Sequence, residues 1–206
     1  LANLYLSTSS FEEAEGQLQE AIKLEPNNAE LWSTLGRCLS RQHNTDEALK
    51  AFQRAAEVDP NDPNTLYNIA DAFLGLDHPD KAVNPLLQAV QLKHDFSLAH
   101  YDLSLAYLMM KKYRESEMAA RAALRDDPEM GFQCSNLGMG ATENLGLALM
   151  NQGRMEEAEA CFRLNLQLFA KTYFNLGLTL FRTKRHTEAL ENFRRAQAAL
   201  PQQRLQ

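Results

Sequence analysis

Cysteine is scarce: Cys38, Cys134 and Cys161 are the only three in 206 residues. They are too few and too scattered for a disulfide scaffold, and no CxxC pair offers a zinc knuckle. Long apolar runs are missing too. The longest, Leu105 to Met110, falls far short of the ~18 residues a membrane helix needs, so no membrane insertion is expected. Charge of one sign is not dominant. A net of -6 with 45% apolar residues argues against disorder and for a soluble, mildly acidic chain. The signatures of catalysis are absent as well: no HExxH, no Gly-rich phosphate loop and no nucleophile elbow. The five histidines are scattered, with His43, His78 and His186 in or beside turns. No catalytic residue, cofactor or metal is expected, and the chain does not read as an enzyme. It starts at Leu1 and shows no targeting segment. That reads as a piece of a longer protein, with a cytoplasmic location as the default expectation.

What is present is a repeat. Pro26, Pro60 and Pro128 close similar segments, AIKLEP, AAEVDP and ALRDDP, spaced by one and two periods of 34 residues. With Pro at position 32 of that frame, position 20 holds Ala14, Ala48, Ala82, Ser116, Ala158 and Ala189. Position 8 holds Ala2, Gly36, Ala70, Ser104, Gly146 and Gly177, and position 27 is Ala in five of six repeats. Large residues fill positions 7, 11 and 24, such as Leu35, Leu39 and Phe52. Small residues at 8, 20 and 27 let two antiparallel helices approach closely, and the large ones fill the space between pairs.

This pattern resembles the tetratricopeptide repeat (TPR) family over nearly the whole chain. Leu31 to Pro60, LWSTLGRCLSRQHNTDEALKAFQRAAEVDP, carries the family's W, LG, A, F, A and P positions in full. The resemblance implies an all-α fold, a right-handed superhelix or solenoid of antiparallel helix pairs forming a single array over 1–206. The repeats fall at 1–28 (partial), 29–62, 63–96, 97–130, 139–169 and 170–203. The eight residues 131–138 stand outside the frame and are expected to lengthen a helix or form a loop. Near Leu168 to Thr172 about three residues are missing from the frame, so either two helices fuse or a loop is absent. Pro85 lies inside the second helix of repeat 3, where a proline costs roughly 3 kcal/mol and a local kink is expected.

The resemblance also implies a binding role, with the first helix of each repeat lining a concave groove through positions 2, 5, 6, 9, 12 and 13. Position 6 carries Asn68, Asn144 and Asn175, with Thr34 and Asp102 at the other two. An asparagine amide can pair with both N–H and C=O of an extended peptide. These three are therefore expected to form a ladder holding a peptide backbone, the bland alternative being hydrogen bonds between repeats. Tyr67, Tyr101, Leu105, Leu147, Met150, Phe174 and Leu178 form a second helical stripe, expected to supply apolar pockets. Repeat 2 is polar there instead, with Ser33, Thr34, Arg37, Ser40 and Arg41. The cationic clamp by which some family members hold chaperone C-termini is missing, since its positions carry Ser33, Arg37, Leu98 and Asp102 around Asn68.

Charge is spread unevenly. Residues 1–28 hold five Glu and one Lys, a net of -4, whereas residues 170–206 hold a net of +5. That asymmetry predicts head-to-tail homo-oligomers that weaken with salt. No aromatic platform accompanies the basic end, so nucleic acid is not expected as a partner. The expected activity is capture of a protein or peptide partner. A self-assembling scaffold and a targeting module of a larger enzyme are the alternatives.

Overall fold

A computed structural model of the chain describes residues 11–127, 140–164 and 170–199. The extra segment 131–138 and the irregular junction at 168–169 lie outside the described residues. Two compact units emerge, Leu1–Asp95 and Phe96–Gln206. The first contains α1 (Phe11–Leu24), α2 (Ala29–Arg41), α3 (Thr45–Val58), α4 (Pro63–Gly75) and α5 (Pro79–Leu92). The second contains α6 (Ser97–Met109), α7 (Tyr113–Asp126), α8 (Ala141–Asn151), α9 (Met155–Leu164), α10 (Ala170–Arg182) and α11 (His186–Ala199). No strand interrupts the helices among the described residues.

Local chemistry sets the helix ends. Asn28 and Asp62 cap α2 and α4, each accepting from the amides of the second and third helical residues. Pro63 and Pro79 sit in first turns, where no amide is missed. Helix α5 runs through Pro85 to Leu92. Each first helix ends in a tight reversal. The residue at position 15 of the frame has positive φ in all five complete repeats: His43, Asp77, Lys111, Gly153 and Lys184. Its amide donates three residues back, and the next amide donates five back, as from Asn44 to Leu39 and from Arg154 to Leu149. This is the Schellman closure of a helix end.

Within each unit the two helices of a repeat pack on each other, and the second packs on the first helix of the next repeat. Position 8 meets position 24 at van der Waals limits. A Cβ on Gly36, Gly146 or Gly177 would stand 2.5–2.6 Å from the ring of Phe52, Phe162 or Phe193. Glycine is required there because a phenylalanine occupies its Cβ volume. Repeats 3 and 4 solve the same contact with Ala70 and Leu86, and with Ser104 and Ala120. The core of the first unit gathers Leu18, Ile22, Leu35, Leu39, Phe52 and Ile69 around Ala14, Ala48 and Ala55. That of the second gathers Leu145, Leu149, Phe162, Leu176 and Leu180 around Ala120, Ala158 and Ala189. Each such side chain stabilises the fold by roughly 1.5–3 kcal/mol on burial.

Candidate peptide-binding surface

In the first unit, α2 and α4 present the groove positions of repeats 2 and 3. Between them lies a cavity of about 450 Å³, lined by Arg37, Ser40 and Arg41 of α2, Asn68 and Asp71 of α4, and Phe11 and Phe52. Asn68 is half-buried and faces this space. Arg37 and Arg41 are exposed. The Arg37 guanidinium donates to Thr34 Oγ1 at 3.1 Å, and neither arginine has an acidic partner among the described residues. The third arginine of this unit, Arg54, does pair, with Glu57. Asp71 keeps an open edge to solvent, yet the protein around it raises its carboxyl pKa by desolvation. The cavity therefore offers two cations without an acidic partner among the described residues, one amide and one carboxylate beside Phe11 and Phe52. It has the size of a pocket for one or a few side chains.

The second unit uses its groove positions differently. Asn144 is fully buried, and its Nδ2 donates to Ser104 Oγ at 2.8 Å. Ser104 donates in turn to the Tyr101 carbonyl. Asn175 is 6% exposed, and its Nδ2 donates to Glu143 Oε1 at 2.5 Å. Thr172 donates to the other oxygen of the same carboxylate at 2.9 Å. Two of the three ladder asparagines are thus engaged in bonds between repeats, as the bland alternative had it. The reason is geometric: adjacent first helices lie close enough for position 6 to reach across the joint. Only Asn68 keeps access to a cavity.

The apolar stripe divides in the same way. Tyr101, Leu105 and Met150 are buried, Tyr101 against Ala123 and Ala141. Tyr67, Leu147 and Leu178 are half-buried, and Phe174 is 49% exposed. Helix α6, apolar nearly all round in sequence, buries seven residues in a row of eight, which is what such a helix requires.

Glu143 is the residue that sequence reasoning passed over. It stands at position 5, 2% exposed, with two donors on its carboxylate. An acid beside the asparagine of position 6 was the available signal. A second feature, also missed, is an ion-pair series along the second helices: Arg154 joins Glu117 and Glu157, and Arg185 joins Glu159 and Glu188. Desolvation works against ionising Glu117, but donors from Gln152, Arg154 and Arg121 outweigh it and hold its pKa below the ordinary value. The thiols of Cys38 and Cys161 are both pushed up, chiefly by burial, which makes them poor nucleophiles. Among the described residues no group of three or more His, Cys, Asp or Glu is placed to hold a metal ion. No described helix is long and apolar enough to cross a membrane.

Paired helices of this length, joined at a left-handed position 15 and closed by small-to-large contacts, define an α-hairpin repeat protein. The chain belongs to the tetratricopeptide repeat family: models of that repeat match residues 5–64, 41–101 and 138–202. It is 25% identical over 201 residues to the human protein O-mannosyl-transferase TMTC3, covering 92% of this chain and 21% of that protein. The chain spans about a fifth or less of the length of the curated relatives it first matches. MamA from Desulfovibrio magneticus RS-1 superposes with a TM-score of 0.75 at 22% identity, over 85% of this chain and 96% of that one. YrrB, described as a TPR protein with an unusual peptide-binding site, superposes with a TM-score of 0.74 at 18% identity, over 89% of this chain and 92% of that one. At these identities the structural likeness is one of fold.

Proposed function

We propose that this chain is a binding module that captures an extended segment of a partner protein, with the cavity around Asn68 as its anchoring point, and that it performs no catalysis. The observation that carries this reading is the cavity itself: groove positions of two consecutive repeats converge on it with an amide, a carboxylate and two arginines that have no acidic partner among the described residues. The Asn68 amide pairs with the partner's backbone, each bond contributing roughly 0.5–1.5 kcal/mol. Arg41, with Arg37 beside it, takes an acidic side chain of the segment, a charge-assisted contact stronger than a neutral one. Phe11 and Phe52 give the segment an apolar floor. The peptide-binding site ascribed to YrrB supports a peptide as the ligand class. The transferase activity in the name of TMTC3 stays with that protein.

The test is affinity capture from a lysate, followed by titration of the recovered partner segment, comparing wild type with Asn68→Ala and Arg41→Glu. Circular dichroism checks that each variant folds. Loss of one partner from both variants supports the reading. Equal recovery by all three proteins overturns it.

A further inference from the structure

The cavity of the first unit holds opposite charges that do not meet. Arg37 and Arg41 stand one turn apart on one face of α2. Asn68 and Asp71 share one face of α4. All four line the same space of about 450 Å³. Elsewhere in the chain an acid set beside an arginine closes onto it: Glu117 on Arg154 at 2.7 Å, Glu159 on Arg185 at 2.6 Å, and Glu57 on Arg54. Asp71 accepts no hydrogen bond and joins no ion pair among the described residues, and desolvation is what pushes its carboxyl upward. A desolvated carboxylate with no donor costs the fold free energy. Arg37 and Arg41, across the cavity, have no acid either.

These groups sort ligands by charge. A segment acidic throughout satisfies the arginines but brings a like charge against Asp71. A segment basic throughout satisfies Asp71 but meets two arginines. Each mismatch costs more in a cavity than on an open surface, because less water screens it. A segment carrying one acid and one base satisfies both walls. Its acid accepts from the guanidinium groups of α2, and its base donates to the Asp71 carboxylate on α4. Asn68, one turn before Asp71, is left for the backbone between them.

The spacing of the two charges follows from the geometry of an extended chain. Neighbouring side chains point to opposite sides, whereas side chains two positions apart project together, roughly 7 Å from each other. A cavity of this size holds a few side chains, so it takes one such pair. We propose that the cavity selects a mixed-charge segment, with an acidic and a basic residue two positions apart, and that Asp71 is the specificity residue that recognises the base. This rests on the groove reading given above and adds to it the charge pattern of the partner.

Magnetic resonance titration of the whole chain, which reads millimolar affinities, tests this with short capped peptides of one uncharged background. The probes carry an acid and a base two positions apart in either order, two acids, two bases, or no charge. The mixed peptide, in the better of its two orders, is expected to bind about tenfold tighter than the two-acid peptide. Asp71→Asn is expected to close most of that gap by weakening the first and strengthening the second. Asp71→Lys is expected to invert the preference, with circular dichroism unchanged in both variants. A wild-type chain that binds the two-acid peptide as tightly as the mixed one overturns the proposal, as does a gap that Asp71→Asn leaves unaltered. If that binding is still lost in Asn68→Ala, the groove reading stands without the charge pattern. Peptides that bind wild type no better than Asn68→Ala overturn both.

Discussion

At the residue scale, position 15 shows how one backbone angle sets sequence preference. Gly153 takes its φ of +82° without strain, whereas His43, Asp77, Lys111 and Lys184 accept φ near +60° with a side chain attached. The reversal survives these residues because the Schellman bonds and the packed helices on both sides over-determine it. A Cβ on Gly153 meets no neighbouring atom, so Gly153→Ala isolates the conformational cost. The expected loss is about 1–2 kcal/mol, read as a lower urea midpoint. Lys111→Gly at the equivalent position is expected to be far milder, because relief of strain offsets the added chain entropy. The sequence placed turns at or beside His43, His78 and His186, but not the positive φ at position 15, since composition alone does not reveal strain that tertiary packing sustains.

At the scale of the helix pair, the contact between positions 8 and 24 fixes how closely the two helices approach. The pairing of Gly with Phe, and Ala with Leu, is legible in the sequence because the larger residue at position 24 goes with the smaller one at position 8, a trade that Ser104 with Ala120 does not follow. Gly146→Ala places a methyl 2.6 Å from the Phe162 ring, which is fully buried and has nowhere to retreat. Destabilisation of about 1–3 kcal/mol is expected. Adding Phe162→Leu copies the Ala70–Leu86 solution, and thermal unfolding of the double variant is expected to recover part of the loss. A double variant no better than Gly146→Ala would show that the clash is not the cause.

At the scale of the whole molecule, the joints between repeats carry much of the stability. Glu117 lies at one such joint with a pKa held below the ordinary glutamate value of 4.5. A carboxylate lowered on folding stabilises the fold above its unfolded pKa, and that contribution is lost as pH falls through the folded value. Thermal stability is therefore expected to drop as pH falls below about 4.5, and Glu117→Gln is expected to flatten this slope while lowering stability at neutral pH. A variant with the wild-type slope would assign acid sensitivity elsewhere. Glu143 at the next joint marks the limit of reading groove positions from sequence. The frame correctly puts it on the first helix of repeat 5, but not whether that helix face meets solvent or its neighbour.

The sequence by itself determined the helix pairs, their order and their small-to-large contacts, because 3.6-residue periodicity and side-chain volume act within and between adjacent segments. It also carried the charge asymmetry between residues 1–28 and 170–206. Only the tertiary structure decided which groove positions stay open. Asn68, Asn144 and Asn175 occupy one position of the frame, yet Asn68 lines a cavity while the other two are buried in bonds to neighbouring repeats. Accessibility is a property of the whole packed stack: the distance to the next helix, set by every contact in the joint, determines whether an amide is left for a ligand.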